Sequence, residues 1–280
     1  MLNMMQFQFR RLFKKSSMYI CMLITAVFAF YPVSTIISSI ESHLRYSANY
    51  DNFTDYTISY SSKEILTMCF AISFITLITA IFTAIFVCED RTQGTIKTIY
   101  AKGYSRTSVF TSKYLATVAY ITIYYAILLV VAIFSIFMIQ LLYSSRFPEI
   151  ITWDNENLLP MIVNQYLSLI AVNTLYYLIS ELVGKTGIGI ALSIFAPIIL
   201  LIILGQIYMI IRQMVGDAID KVAETVAMYY LPTLMTGMIS AFGFTSSDYN
   251  YLIAILFDLG YIVIFGGLAL LVTNKQQVKG

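Results

Sequence analysis

Six stretches of this chain, at about residues 18–40, 65–88, 113–142, 161–183, 186–211 and 251–272, are each long and apolar enough to cross a bilayer as a helix. A spanning helix needs about 20 such residues at about 1.5 Å rise each, because backbone in hydrocarbon must satisfy its own amides and carbonyls. Composition narrows the choice further: 59% of the residues are hydrophobic and 11% charged, against about 25% charged in an ordinary soluble domain. The expected fold is an all-α integral membrane protein, one membrane domain over 1–280 with six transmembrane helices and both termini on the same side. The first stretch exceeds a signal-peptide core, holds Pro32 near its far end and lacks a small-residue cleavage pattern, so it reads as a retained helix.

Lysine and arginine set the orientation. With the N-terminus cytoplasmic, Arg45, Lys63, Arg146, Arg212 and Lys221 fall outside, and the other twelve basic residues fall on inner segments or at their edges. The positive-inside rule accepts that arrangement and predicts a multi-pass plasma-membrane protein with cytoplasmic termini. Acidic residues run the other way: Glu89, Asp90 and Glu181 are inside, Asp258 lies within a span, and the remainder are outside. The basic residues are divided among short juxtamembrane segments, which suits anionic lipid headgroups and not a nucleic-acid footprint. Cys21, Cys69 and Cys88 all fall in spans and His43 stands alone in the first outer loop, so neither a disulfide framework nor a metal site is expected.

Residues 1–17 read as an interfacial amphipathic helix on the inner leaflet. Met5, Phe9, Leu12 and Phe13 recur at helical spacing, and Arg10, Arg11, Lys14 and Lys15 occupy the other side, the pattern of a helix lying in the headgroup plane. The first outer loop, 41–64, is rich in tyrosine and polar residues, and the second, 146–160, contains Trp153; both suit the headgroup level. The third outer segment, 212–250, begins as an amphipathic helix with Asp217, Asp220, Lys221 and Glu224 on one face. It continues as an apolar run broken by Pro232, Gly237 and Gly243, which predicts a re-entrant or interfacial element before helix six that shapes an outer gate.

Polar residues inside the spans are few: Asn173 in span four, Gln206 in span five and Asp258 in span six. An intramembrane acid is paired, protonated or turned to a cavity, so these are candidate pathway residues, with structural hydrogen bonding as the alternative. Pro197, Gly187, Gly189 and Gly205 in span five permit a bend or a close helix approach. Gly184-Lys185-Thr186 resembles the end of a phosphate-binding loop, but Ile179 stands where the pattern needs glycine, and the segment joins two membrane helices. The chain therefore carries no ATPase motif, and no protease constellation is present, so it is not read as an enzyme.

The densest polar block between two spans is 89–112. Thr92 is expected to cap a short helix whose Ile96, Ile99 and Tyr100 share a face. Gly103 supplies a turn, and Ser105 caps a helix running into span three. The product is a helical elbow in the cytoplasm, continuous with spans two and three.

The run Glu89, Gly94-Thr95-Ile96-Lys97, Lys102-Gly103-Tyr104-Ser105-Arg106 and Lys113 closely resembles the signature of permeases of the type-2 ABC exporter family, particularly drug, lantibiotic and peptide exporters. The resemblance extends to the basic interfacial helix, the six spans and the outer segment before span six. It implies a permease dimer, with an identical or paralogous second chain, above two ABC ATP-binding subunits that bind ATP and Mg; this chain itself binds no cofactor. It also implies that the interfacial helix and elbow seat against the nucleotide-binding dimer. Glu89 would then be the polar contact or elbow lock, Gly94 and Gly103 its turns, and Thr95, Lys97 and Arg106 partner or headgroup contacts. Lys113 closes the coupling signature, and Phe9 to Lys15 form the interfacial contact. The implied activity is ATP-driven export of an amphipathic or apolar substrate such as an antimicrobial peptide, toxin peptide, lantibiotic or drug, for secretion, bacteriocin immunity or multidrug resistance. A glycan or lipid exporter of the same superfamily, an ion-coupled secondary transporter and a non-transporting scaffold remain as alternatives.

Overall fold

The computed structural model describes residues 2–49, 59–62, 65–66, 73–144, 150–153, 158–195 and 251–275, together with residues 199, 206, 210 and 213. The helices are α1 (Leu2–Lys14), α2 (Ser16–Ala29), α3 (Tyr31–Asn49), α4 (Ser73–Thr92), α5 (Thr95–Ala101), α6 (Arg106–Tyr143), α7 (Leu158–Val183), α8 (Thr186–Phe195) and α9 (Tyr251–Lys275). Among the described residues, four helical stretches are long and apolar enough to cross a membrane: Ser16–His43, Arg106–Tyr143, Leu158–Val183 and Tyr251–Lys275. The expected second and fifth spans lie partly outside the described residues; α4 and the short apolar α8 are their described parts. Of the expected outer segment 212–250, all but residue 213 lies outside the described residues, as do Cys69, Pro197 and Gly205.

Three boundaries differ from the sequence reading. The first span breaks after Ala29, where the Phe30 amide reaches back to the Val27 carbonyl at 3.2 Å, and helix resumes at Tyr31. Pro32 falls in the first turn of α3, where its missing N–H leaves no intrahelical bond unmade. α3 then runs on to Asn49, through the first part of the expected outer loop. α4 continues to Thr92, so Glu89 and Asp90 stand in its last turn and not in a loop. α6 starts at Arg106, as the Ser105 cap predicts, and has 38 residues, about 57 Å at the α-helical rise. That exceeds a hydrocarbon core of about 30 Å, which places its first turns outside the membrane.

α7 is the central helix, packed against α4 on one side and α9 on another. Its buried side is polar at intervals, and three of its polar groups bond to neighbouring helices. Thr83 Oγ1 donates to Asn173 Oδ1 at 2.5 Å, the Tyr114 and Thr174 hydroxyls share a bond of 2.8 Å, and Ser168 Oγ donates to Asp258 Oδ2 at 2.5 Å. Hydrogen bonds of this kind join helices where apolar burial offers little drive, since lipid tails are as apolar as leucine. Between α2 and α6, Thr25 Oγ1 donates to Tyr124 Oη at 3.0 Å, and Phe82 of α4 stacks on Tyr120 with centroids 3.7 Å apart. A Cβ on Gly189 of α8 would stand 3.1 Å from Cys88 Sγ of α4, so glycine there permits close helix approach.

Large apolar side chains such as Leu23, Val130, Leu256 and Val263 point outward and are exposed, as expected where the surrounding solvent is lipid. At the end opposite the elbow, β1 (Tyr60–Ser61) and β2 (Ile151–Thr152) form a two-stranded parallel pair, and Tyr60 N–H donates to Ile150 O at 2.9 Å. This pair ties the segment after α3 to the segment after α6, the two loops expected outside, and Trp153 follows it in an exposed position.

Candidate functional site

The end of the bundle that holds α1, α5 and the beginning of α6 carries a network of three carboxylates and four cations. Its origin lies in the last turn of α4. Glu89 and Asp90 sit at the negative end of that helix's dipole, an unfavourable place for acids, and Asp90 is buried. Cations from other elements compensate. Arg11 of α1 contacts Glu89 Oε2 at 2.5 Å and also pairs with Asp90 Oδ1, and Lys15 reaches Glu89 Oε2 at 2.5 Å. Lys113 of α6 lies 3.1 Å from Asp90 Oδ2 and 3.9 Å from Glu181 Oε1 of α7, and its Nζ donates to Val87 O at 2.8 Å. Arg91 completes the set by pairing with the Glu181 carboxylate and donating to its backbone carbonyl.

Lys113 is only 1% exposed and Glu181 only 2%, so these charges join α4, α6 and α7 from within. Burial alone would raise the Asp90 carboxyl, but the nearby Lys113 and Arg11 charges and the Arg11 hydrogen bond outweigh it and hold the group below its ordinary range. The same balance holds at Glu89, where hydrogen bonds from Lys15 and Arg11 overcome the cost of burial. Lys15 is held below its ordinary value because burial of the ammonium exceeds what Glu89 returns. The Arg11 guanidinium also lies 5.0 Å from the Phe86 ring centroid, within cation–π range.

This arrangement corrects the expected faces of the N-terminal helix. Leu12 and Met4 are buried against protein, Arg11 and Lys15 turn to the elbow, and Phe7, Phe13, Arg10 and Lys14 are exposed, with Phe9 half-buried. The physical reason is the pair of acids at the end of α4: carboxylates taken out of water need counter-charges, and Arg11 of α1 and Lys15 just after it supply two of them. Helix α1 thus docks on α4 and α6 through one face and keeps an aromatic and basic face outward.

Two glycines shape the elbow. Gly94 has φ +71° and Gly103 φ +83°, and a Cβ at either would meet nothing within 4 Å. Backbone conformation, not space, therefore selects glycine at both turns. Thr92 does not cap α5; it lies in the last turn of α4, and its hydroxyl donates to Glu89 O at 3.0 Å. Gly94 occupies the residue before α5, and Thr95 Oγ1 donates to both the Asp90 carbonyl and carboxylate at 3.2 Å. Ser105 caps α6, accepting from the Ser108 amide at 3.3 Å. Ile99 of α5 is buried with Met4 of α1 and Val109 of α6, flanked by Tyr100 and Tyr104.

Of the sequence-singled residues, the structure therefore brings together Glu89, Thr95, Lys113 and Arg11, and leaves Lys97, Lys102 and both glycines on an exposed rim. Arg106 contacts its own chain, donating from Nη1 to the Asn274 carbonyl at 2.7 Å. Asn173 and Asp258 are buried within one chain, and Gln206 is exposed. Sequence reasoning missed the parts played by Asp90, Arg91 and Glu181. The available signal was charge: these are acids on a strongly basic side, in a chain that admits few charges. Gly184 fits the same picture, since at φ +65° its missing side chain leaves room for Arg91, whose Cδ would lie 3.1 Å from an added Cβ.

Compared with known proteins, the chain matches the family described as ABC-2 family transporter protein over residues 31–273. No curated protein matches it.

Proposed function

The chain belongs to the ABC-2 family of transporter proteins and is a permease of an ABC-type transporter, and from that premise we propose that it is the membrane-spanning half of an ATP-driven exporter for amphipathic or apolar cargo. Two copies, or this chain and a paralogue, enclose the route. ATP-binding subunits, with which such permeases act, hydrolyse ATP below the membrane. Antimicrobial peptides, lantibiotics and drugs are the cargo class. Few charges stand in the described spans, and Asn173 and Asp258 are occupied in helix-to-helix hydrogen bonds. A route between such chains is lined by apolar and hydroxyl side chains, which suits lipid-like cargo better than a bare ion.

The observation that carries this reading is the elbow. Its inward side is fixed to α1, α6 and α7 by buried charges, and its outward rim, residues 92–98 and 101–103, is exposed but for the half-buried Ile96. A rim that is accessible on one side and anchored on the other can receive a push from a soluble subunit and deliver it to several helices at once. Glu89 acts as the lock in this scheme, and Lys97 and Lys102 as contacts for the ATP-binding subunit.

The test is ATP hydrolysis by the permease with its ATP-binding subunit in liposomes. Stimulation by at least one amphipathic peptide or drug is expected. Hydrolysis indifferent to every such compound, with uptake driven instead by an ion gradient, would overturn the reading.

A further inference from the structure

We propose that Arg106 is a positioning residue that transmits the elbow's position to the last spanning helix, α9. The inference rests on the reading of the elbow as the receiving end of coupling, and it identifies where the push goes. Arg106 is the first residue of α6. A cation there faces the positive end of its own helix dipole, which is unfavourable unless something else holds it. Its Nη1 donates to the Asn274 carbonyl at 2.7 Å, and Asn274 lies in the last turn of α9. Carbonyls in a last turn lack intrahelical partners and form the negative end of the dipole. One guanidinium thus closes the end of a helix 168 residues away.

A second contact lies beneath it. Phe110, one turn further along α6, meets Tyr177 edge-on at 5.5 Å, and both belong to a buried cluster with Ala269 of α9, against which Phe265 and Val272 pack. α9 is in turn bound to α7 through the Ser168–Asp258 bond, and a Cβ on Gly266 would sit 3.8 Å from Thr174. The elbow's other side holds α1 through Ile99–Met4 packing and through Arg11 on Glu89 and Asp90. Displacement of the elbow against α1 is therefore delivered to the cytoplasmic end of the α7–α9 pair, with Arg106 as the outer link.

Amide hydrogen exchange on the permease alone, in lipid nanodiscs, tests this without ATP, cargo or partner. The amides of residues 270–274 are followed in the wild type, Arg106→Ala, Arg106→Lys, Arg11→Ala and the double variant. Arg106→Ala should speed their exchange roughly three- to tenfold, as for loss of one charge-assisted hydrogen bond at a helix end, and Arg106→Lys should restore most of the protection. Arg11→Ala, which strips a cation from Glu89 and Asp90 at the elbow, should also speed these amides, and should add less in the Arg106→Ala background. Ile99→Ala loosens the elbow without disturbing a charge and serves where Arg11→Ala folds poorly. The proposal fails if Arg106→Ala leaves these amides unchanged, or if loosening the elbow affects them equally with and without Arg106. Failure to find an ATP-binding subunit would count against the transport reading and leave this result standing.

Discussion

The two ends of the described polar stretch of α7 are held by different chemistry. Glu181 meets Arg91 and Lys113 at the elbow end, whereas Asn173, Thr174 and Ser168, deeper along the same helix, meet Thr83, Tyr114 and Asp258 through hydroxyls. Ion pairs stand at the elbow end, and uncharged donors serve deeper along the spanning helices. The reason is cost: a charge buried without its partner is penalised by several kcal/mol, whereas a hydroxyl pair risks about 0.6 kcal/mol in a membrane bundle. The junction is therefore strong only as a complete set, which suits a part that must move as one piece. The interior tolerates single losses.

The sharpest way to break this comparison is Lys113→Met. It leaves Asp90 and Glu181 buried without their shared cation and should cost about 3–5 kcal/mol, read as a large drop in unfolding midpoint in detergent. Next is Arg11→Ala, which strips one partner from each of Glu89 and Asp90. About 1.5–3 kcal/mol is expected for hydrogen bonds to charged groups, with α1 becoming sensitive to protease while the spans stay folded.

Acid should loosen the junction. The carboxyls of Glu89 and Asp90 are held below their ordinary values of 4.5 and 3.8, so their stabilisation is complete above those values and is lost as pH falls through the lower folded values. Protease sensitivity of α1 should stay flat down to about pH 5, by that linkage, and rise below it. Smallest is Thr83→Val, which should lower stability by about 0.6 kcal/mol; a loss as large as that of Lys113→Met would erase the distinction between the two regions.

Much of this was legible in the sequence, for identifiable reasons. Long apolar runs announced the helices now seen as α6, α7 and α9, because a spanning helix must be apolar over a fixed length. The elbow showed itself through Gly94 and Gly103, each at a positive φ, and through Ser105 as a cap. What stayed hidden depends on pairing across distance. Arg11 and Glu89 are 78 residues apart and Arg91 and Glu181 90 apart, and no local pattern records which cation answers which acid. The faces of α1 were misassigned for the same reason: periodicity separates apolar from basic residues, but it does not reveal that acids on another helix draw two of the four basic residues inward. Thr92 was misplaced because α4 runs four residues beyond its apolar stretch.

The central claim is that the exposed rim of the elbow receives an ATP-binding subunit. The direct measurement is co-purification of the tagged chain from its host in mild detergent, beside Lys97→Glu and the double variant Lys97→Glu, Lys102→Glu. These change the rim and leave the buried charges in place. The account predicts that an ATP-binding subunit elutes with the wild type and is lost from both variants while the permease itself stays folded. A subunit retained equally by both variants, or a wild-type permease that elutes alone, would contradict it.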